Sequence, residues 1–274
     1  MRWFLVFFMV VPSLSFAQVN VEALRSNGTE NGVSGSTGLS VAYTGGNIQF
    51  ADFGASAHLE WKKEKNLLFF VLNYRFAAKR TQADILAEPD IGLWDEEAHF
   101  SNNRLAHLRY NRTLTESVWW EVYTQYEYNE FLLLDRRLLV GTGPRARVFD
   151  VEAAGLWFGV SAMVEEERLN EEGVDPAEEV SRINGRASTY ASLTARLAEN
   201  ASWTSTVYAQ PRMDAVDDYR VVVETGLSLG IGKALAVTID GRYRKDSQPP
   251  QTPSASAPIL SSDFSIKNGL KVSF

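Results

Sequence analysis

Polar and apolar residues alternate one for one along most of this chain. Between Trp119 and Asn129, the residues Trp120, Val122, Thr124, Tyr126 and Tyr128 fall on one parity. Glu121, Tyr123, Gln125, Glu127 and Asn129 fall on the other. The next run sets Leu138, Val140, Thr142, Pro144, Ala146 and Val148 against Arg137, Leu139, Gly141, Gly143, Arg145 and Arg147. A repeat of two sends successive side chains to opposite faces of a strand, so each run predicts a strand with an apolar and a polar face.

Ten further runs follow the same rule. Leu39, Val41 and Tyr43 oppose Ser40 and Ala42; Phe53 to Trp61 opposes Gly54 to Glu60; and Leu68, Phe70, Leu72, Tyr74 and Phe76 oppose Asn73 and Arg75. Similar alternation runs through Ala106–Asn111, Leu156–Glu165, Tyr190–Ala195, Trp203–Gln210, Tyr219–Leu229, Leu235–Tyr243 and Phe264–Phe274. The expected total is twelve strands of about ten residues, the length at which a tilted strand crosses a bilayer. Sandwich strands run to roughly 5–6 residues. The polar face carries charges and small residues, as the inside of a membrane barrel does.

The connections sort by parity. The second, fourth, sixth, eighth and tenth gaps are short (62–66, 113–117, 149–153, 198–201 and 232–234), and every long one is odd-numbered (79–100, 166–181 and 246–262). Short turns at one end and long loops at the other predict a single all-β, antiparallel transmembrane β-barrel over residues 34–274. Its turns and both termini are expected to be periplasmic. The last strand ends on Phe274, a terminal aromatic of the kind read as a signal by the barrel-assembly machinery. At the other end, Arg2, the apolar run Trp3–Val11 and Ser15-Phe16-Ala17 predict a cleaved signal peptide over 1–17. Residues 18–33 then form a polar periplasmic lead-in.

The segment 103–165 resembles the salt-induced outer-membrane protein family (YdiY-like). The resemblance rests on His107, Leu108, Arg109 and Tyr110, on Gln125, Glu127 and Asn129, and on Arg137, Leu139, Gly141, Gly143 and Arg145. It implies a Gram-negative outer-membrane barrel and an envelope response to osmolarity, and little specific chemistry.

Composition narrows the chemistry. The chain has no cysteine, which removes disulfides and thiolate metal sites. Its net charge of −7 disfavours nucleic acid as a partner. The acidic segment 165–179 lacks calcium-loop spacing and reads as a solvated charge run, so neither metal nor cofactor is expected. The polar parity brings His107, Arg109, Glu121, Gln125, Glu127, Arg137, Arg145, Arg147 and Glu165 to one lumen face. Such a cluster is either a selectivity constriction for small solutes or ions, or a structural web of ion pairs filling a narrow barrel. Trp61, Tyr74, Tyr110, Trp119, Trp120 and Tyr128 are expected in aromatic girdles.

The expected function is therefore a narrow channel or an envelope-structural component, with outer-membrane lipid and lipopolysaccharide as surroundings. The alternative is a lipid- or lipopolysaccharide-modifying enzyme. Against it, His58 and His107 fall on the lumen parity and His99 in a long loop, away from any lipid-facing nucleophile.

Overall fold

The computed structural model describes residues 31–46, 48–95, 98–253 and 258–274. The signal peptide and most of the lead-in expected before Val33 lie outside the described residues. The strands are β1 (Gly32–Thr44), β2 (Ile48–Lys63), β3 (Asn66–Thr81), β4 (His99–Thr113), β5 (Val118–Asn129), β6 (Leu134–Val151), β7 (Ala154–Leu169), β8 (Ser181–Ala198), β9 (Ala201–Pro211), β10 (Tyr219–Gly230), β11 (Leu235–Asp246) and β12 (Ser262–Ser273). Each pairs antiparallel with its sequence neighbours, and β1 pairs with β12 to close the barrel. All twelve expected strands are present.

They are longer than expected, running from 11 residues in β9 to 18 in β6 and β8. The apolar alternation marks the part of a strand that crosses hydrocarbon. Ladder hydrogen bonds continue beyond it into the headgroup region, where outward positions no longer need to be apolar. His99 shows the consequence, since it is the first residue of β4 rather than part of a loop, with its ring edge-on to Phe76 at 4.5 Å.

The parity of faces is as the alternation requires. Outward Val41, Val140, Val164 and Phe264 are 75%, 59%, 57% and 60% exposed, whereas inward Arg109 and Glu127 are fully buried. This inside-out distribution belongs to a barrel whose solvent on the outer face is lipid.

Loop lengths also sort as expected. At one end, which we call the turn end, two-residue turns at 64–65, 152–153 and 199–200 join with four-residue turns at 114–117 and 231–234. The opposite, loop end carries 82–98, 170–180, 212–218 and 247–261, together with two shorter links. The segment 82–98 opens on a short helix, α1 (Gln82–Ala87), capped reciprocally by Thr81 and Asp84.

Two of these loops, 170–180 and 247–261, pack against each other and against the strand ends. Leu132, Leu134, Leu169 and Val174 form an apolar cluster with Leu133, Val180 and Ile259. The backbone N–H of Asp175 donates to the Gln251 carbonyl at 2.9 Å, and that of Gln251 to Glu178 Oε2 at 3.3 Å. Segment 82–98 instead lies against the outer face of β2 and β3, where Leu93 packs on Ala51, Ala78 and Phe76.

The facing is testable. Val140→Lys places a charge on the lipid face and should destabilise the barrel by about 2–4 kcal/mol near the midplane. Ser228→Lys, whose side chain enters the interior, should cost well under half of that. Reversible unfolding from lipid vesicles measures both, and equal costs would contradict the two-face arrangement.

Candidate functional site

Among the described residues, the interior of the barrel is where the fold gathers its charged side chains. Its loop-end tier is a continuous chain of ion pairs. Arg137 on β6 bridges Glu127 on β5 at 3.0 Å and Glu167 on β7 at 2.7 Å. Arg220 on β10 reaches across the lumen to both oxygens of Glu165 at 3.0 Å and to Glu167 at 2.8 Å, and holds Asp246 on β11 at 3.1 Å. Arg186 on β8 joins Glu165 at 2.7 Å to Asp218 at 2.9 Å. Arg244 extends the chain to Asp263 on β12 at 3.0 Å. Beyond the strand end, Arg212 donates to Asp214 at 2.7 Å, and this hydrogen bond holds the Asp214 carboxyl below the usual carboxylate range.

A second tier lies nearer the turn end. Arg109 Nε donates to His107 Nε2 at 3.3 Å, and His107 Nδ1 meets Gln125 Oε1 at 3.2 Å. Together these need a neutral ring with its proton on Nδ1. Arg109 pairs with Glu121 at 3.5 Å and lies over the Tyr123 ring at 5.1 Å. Tyr190 on β8 donates across the lumen to Glu121 at 2.8 Å, and its ring meets Tyr208 at 5.4 Å.

Two glycines make room for these rings. Gly141 is the register partner of Tyr123, and Gly159 that of Tyr190. A Cβ at either position would run into the partner's ring. The alternation of small and large residues on the inner face thus has a packing cause.

The expected cluster is therefore split by height. Glu127, Arg137 and Glu165 belong to the loop-end tier, and His107, Arg109, Glu121 and Gln125 to the middle one. Arg145 stands at the turn end between Trp119 and Trp157, at 5.8 and 5.3 Å from their centroids. Arg147 is not enclosed: a register shift follows it in β6, and it is half-exposed, pairing with Asp150 at 3.4 Å. Trp119 belongs to the lumen parity and stacks on these arginines, so it is no part of an outer girdle. The acidic run also divides. Glu165 and Glu167 are interior residues of β7, because the strand continues to Leu169 and keeps alternating, while Glu166 faces out against Arg136.

The alternation, extended along β8, β10 and β11, also carries Arg186, Arg220, Arg244 and Asp246 inward. Their joining to Glu165 and Glu167 needs contacts between strands far apart in sequence, which no local pattern announces.

The opposite wall is built differently. On β1, β2 and the turn-end halves of β9–β12 the inward residues include Ser36, Gly38, Ser40, Gly54, Ser56, Ser202, Thr204, Ser228 and Thr238. They border a cavity of about 330 Å³. Arg75 and Arg242 stand at its loop side, bonded to Asp52 at 3.0 Å and Glu224 at 3.1 Å. Lys267, Lys271 and Asp240 complete its charged lining. Toward the turn end it reaches Ser36, Ser202 and Lys271, close to the ends of their strands.

A family model described as "Protein of unknown function, DUF481" matches residues 37–266. No curated protein sequence matches the chain. Among solved structures it is similar to the NanC porin, at 7% identity and a TM-score of 0.48, over 87% of this chain and 98% of that one. It is also similar to the translocator domain of the autotransporter NalP from Neisseria meningitidis, at 12% identity and 0.42, over 92% and 91%. An anion-selective porin from Comamonas acidovorans matches at 9% identity and 0.40, over 89% and 99%. The architecture itself rests on the strand pairing described above.

The ion-pair chain has a measurable signature. Glu165→Gln removes one buried carboxylate from both Arg186 and Arg220, leaving uncompensated positive charge in the interior, and should cost about 3–5 kcal/mol. Glu171→Gln breaks an exposed pair with Arg168 (3.2 Å) and should cost roughly 0–1 kcal/mol. The comparison is made by unfolding titration of the two variants in vesicles. A Glu165→Gln cost as small as that of Glu171→Gln would mean a hydrated, loosely held interior.

Proposed function

The chain belongs to the DUF481 family, and on that premise we propose that it is a narrow outer-membrane channel whose path follows the small-residue wall. The observation that carries this reading is the asymmetry of the interior. One side is filled from wall to wall by ion pairs and tyrosines, and the other keeps a cavity of about 330 Å³ lined by hydroxyls, glycines and charges. In this reading the ion-pair network is the rigid part, holding β5–β8 to β10–β12, and solutes pass beside it. Four cations (Arg75, Arg242, Lys267 and Lys271) stand around the cavity against Glu224, Asp240 and, bonded to Arg75, Asp52, so its field favours anions.

The remaining parts of the proposal follow from the membrane setting. Loops face outward and both termini face the periplasm, as in barrels of this loop pattern. Phe274 serves as the assembly signal, and outer-membrane lipid and lipopolysaccharide surround the apolar belt. The resemblance of residues 103–165 to the salt-induced, YdiY-like proteins supports a role in the response to osmolarity.

Planar-bilayer recording of the refolded protein tests the channel. A steady current with an anion-shifted reversal potential is expected. Ser228→Trp, which fills the cavity, should cut it at least several-fold, while Glu127→Gln should leave it nearly unchanged. Silence of the unmodified protein at all voltages would overturn the channel, and a larger effect of Glu127→Gln than of Ser228→Trp would move the path to the ion-pair side.

A further inference from the structure

The barrel closes on its weakest seam. The pair β1–β12 has four register partners, Ser36 with Ser273 through Leu39 with Leu270, extended by Gly35 and Phe274 bonded in both directions at 3.0 Å. Every other neighbouring pair has between nine and sixteen partners. Toward the loop end, among the described residues, Ser40–Thr44 of β1 pairs only with β2, and Ser262–Gly269 of β12 only with β11. On β1 this leaves an edge of five residues, about 16 Å at roughly 3.3 Å per residue.

The outward side chains at that edge have the composition of a wall facing hydrocarbon. Val41, Tyr43, Phe264 and Ile266 are apolar and 60–75% exposed. A strand edge facing lipid leaves backbone N–H and C=O groups without hydrogen bonds, which the hydrocarbon region does not tolerate unless a polar group occupies the opening. The adjoining residues supply such an opening. Ser40, Asn268 and Gly269 stand at the gap and also border the cavity. Continuing the register from Leu39 and Leu270 would put Ala42, a small residue, opposite inward Lys267. Neither Lys267 nor Lys271 has a carboxylate oxygen within 4.0 Å among the described residues. Asn268 adds an amide on a face that is otherwise apolar.

We infer that this gap is a lateral portal for an anionic phospholipid of the surrounding membrane. Its phosphate sits in the cavity against Lys267, and its acyl chains pass out between β1 and β12. The phosphate oxygens take the ammonium and the free N–H groups of the edge, and the tails meet lipid without crossing the polar interior. Lys271 continues the cationic wall toward the turn end, giving the head group a graded path along the cavity. The inference rests on the reading of the cavity as a conduit and names what it conducts.

The chain has no cysteine, so a single engineered disulfide can close the gap. Tyr43→Cys with Ile266→Cys joins two outward positions that the continued register sets opposite each other, and Val41→Cys with Asn268→Cys is the second pair should the first not fold. The full chain is reconstituted with equal phosphatidylglycerol and phosphatidylcholine, and lipid retained after detergent extraction is counted by native mass spectrometry. Phosphatidylglycerol should be retained over phosphatidylcholine. The preference should fall at least tenfold in the Lys267→Gln, Lys271→Gln double variant and on oxidation of the cysteine pair, and return on reduction. Equal retention of the two lipids, or retention indifferent to the cross-link, overturns the portal whatever the bilayer current does. A disulfide that forms between two chains also overturns it, because a second copy then covers the edge. Ion current measured on the cross-linked sample keeps the two proposals apart: current that survives while lipid is lost leaves the channel standing by a separate route, and a silent protein that still loses lipid on cross-linking retires the channel alone.

Discussion

A chain that crosses hydrocarbon must hydrogen-bond its own backbone, because lipid offers no partner for an N–H or a C=O group. For strands, that requirement can be met on both edges only by closing the sheet. Twelve strands, antiparallel to their neighbours throughout, are the outcome here, and the side chains then have no freedom of direction. One parity meets lipid and the other meets the lumen, so the apolar belt and the charged interior have a single cause. The closure is firm around eleven of the twelve junctions. At the twelfth, where β1 meets β12, only the turn-end half is bonded, and the same constraint makes this seam the part of the wall most in need of another polar group.

The lumen imposes the second condition. Arginine and glutamate carried to the inner face of so narrow a barrel lose most of their water, and each needs opposite charge to remain there. The structure meets this by linking them in series. Glu165 and Glu167 sit between Arg137, Arg186 and Arg220, so every guanidinium serves at least two carboxylates and most carboxylates at least two guanidiniums. The links run across the lumen between strands that are not neighbours in the wall, as from β7 to β10 and from β5 to β8. They therefore brace the barrel against flattening, which the wall's own hydrogen bonds do not resist.

Bracing one side leaves the other available. Where β4–β8 carry long charged and aromatic side chains, β1, β2 and the turn-end halves of β9–β12 carry mostly serine, threonine and glycine, and the space those residues do not fill is the cavity. The division of the interior into a packed half and an open half is thus a matter of side-chain volume on opposite walls of one sheet.

Strand number, facing and the sorting of loops were all legible in the sequence, because a period of two is a local property and every strand repeats it. The parity of Arg109, Glu127, Arg137 and Glu165 was legible for the same reason. Strand ends were less so: the apolar signal stops with the hydrocarbon while the ladder goes on, which is why His99 and Glu167 proved to lie in strands. Which lumen charges meet could not be read at all. Parity says that Arg186 and Arg220 point inward, but only barrel closure and shear bring them to Glu165, and the same geometry lifts Arg147 out of the cluster at the register shift beyond it. Height along the axis, partnership across the lumen and the half-bonded seam depend on how twelve strands are staggered against one another, and that stagger exists only once the sheet has closed.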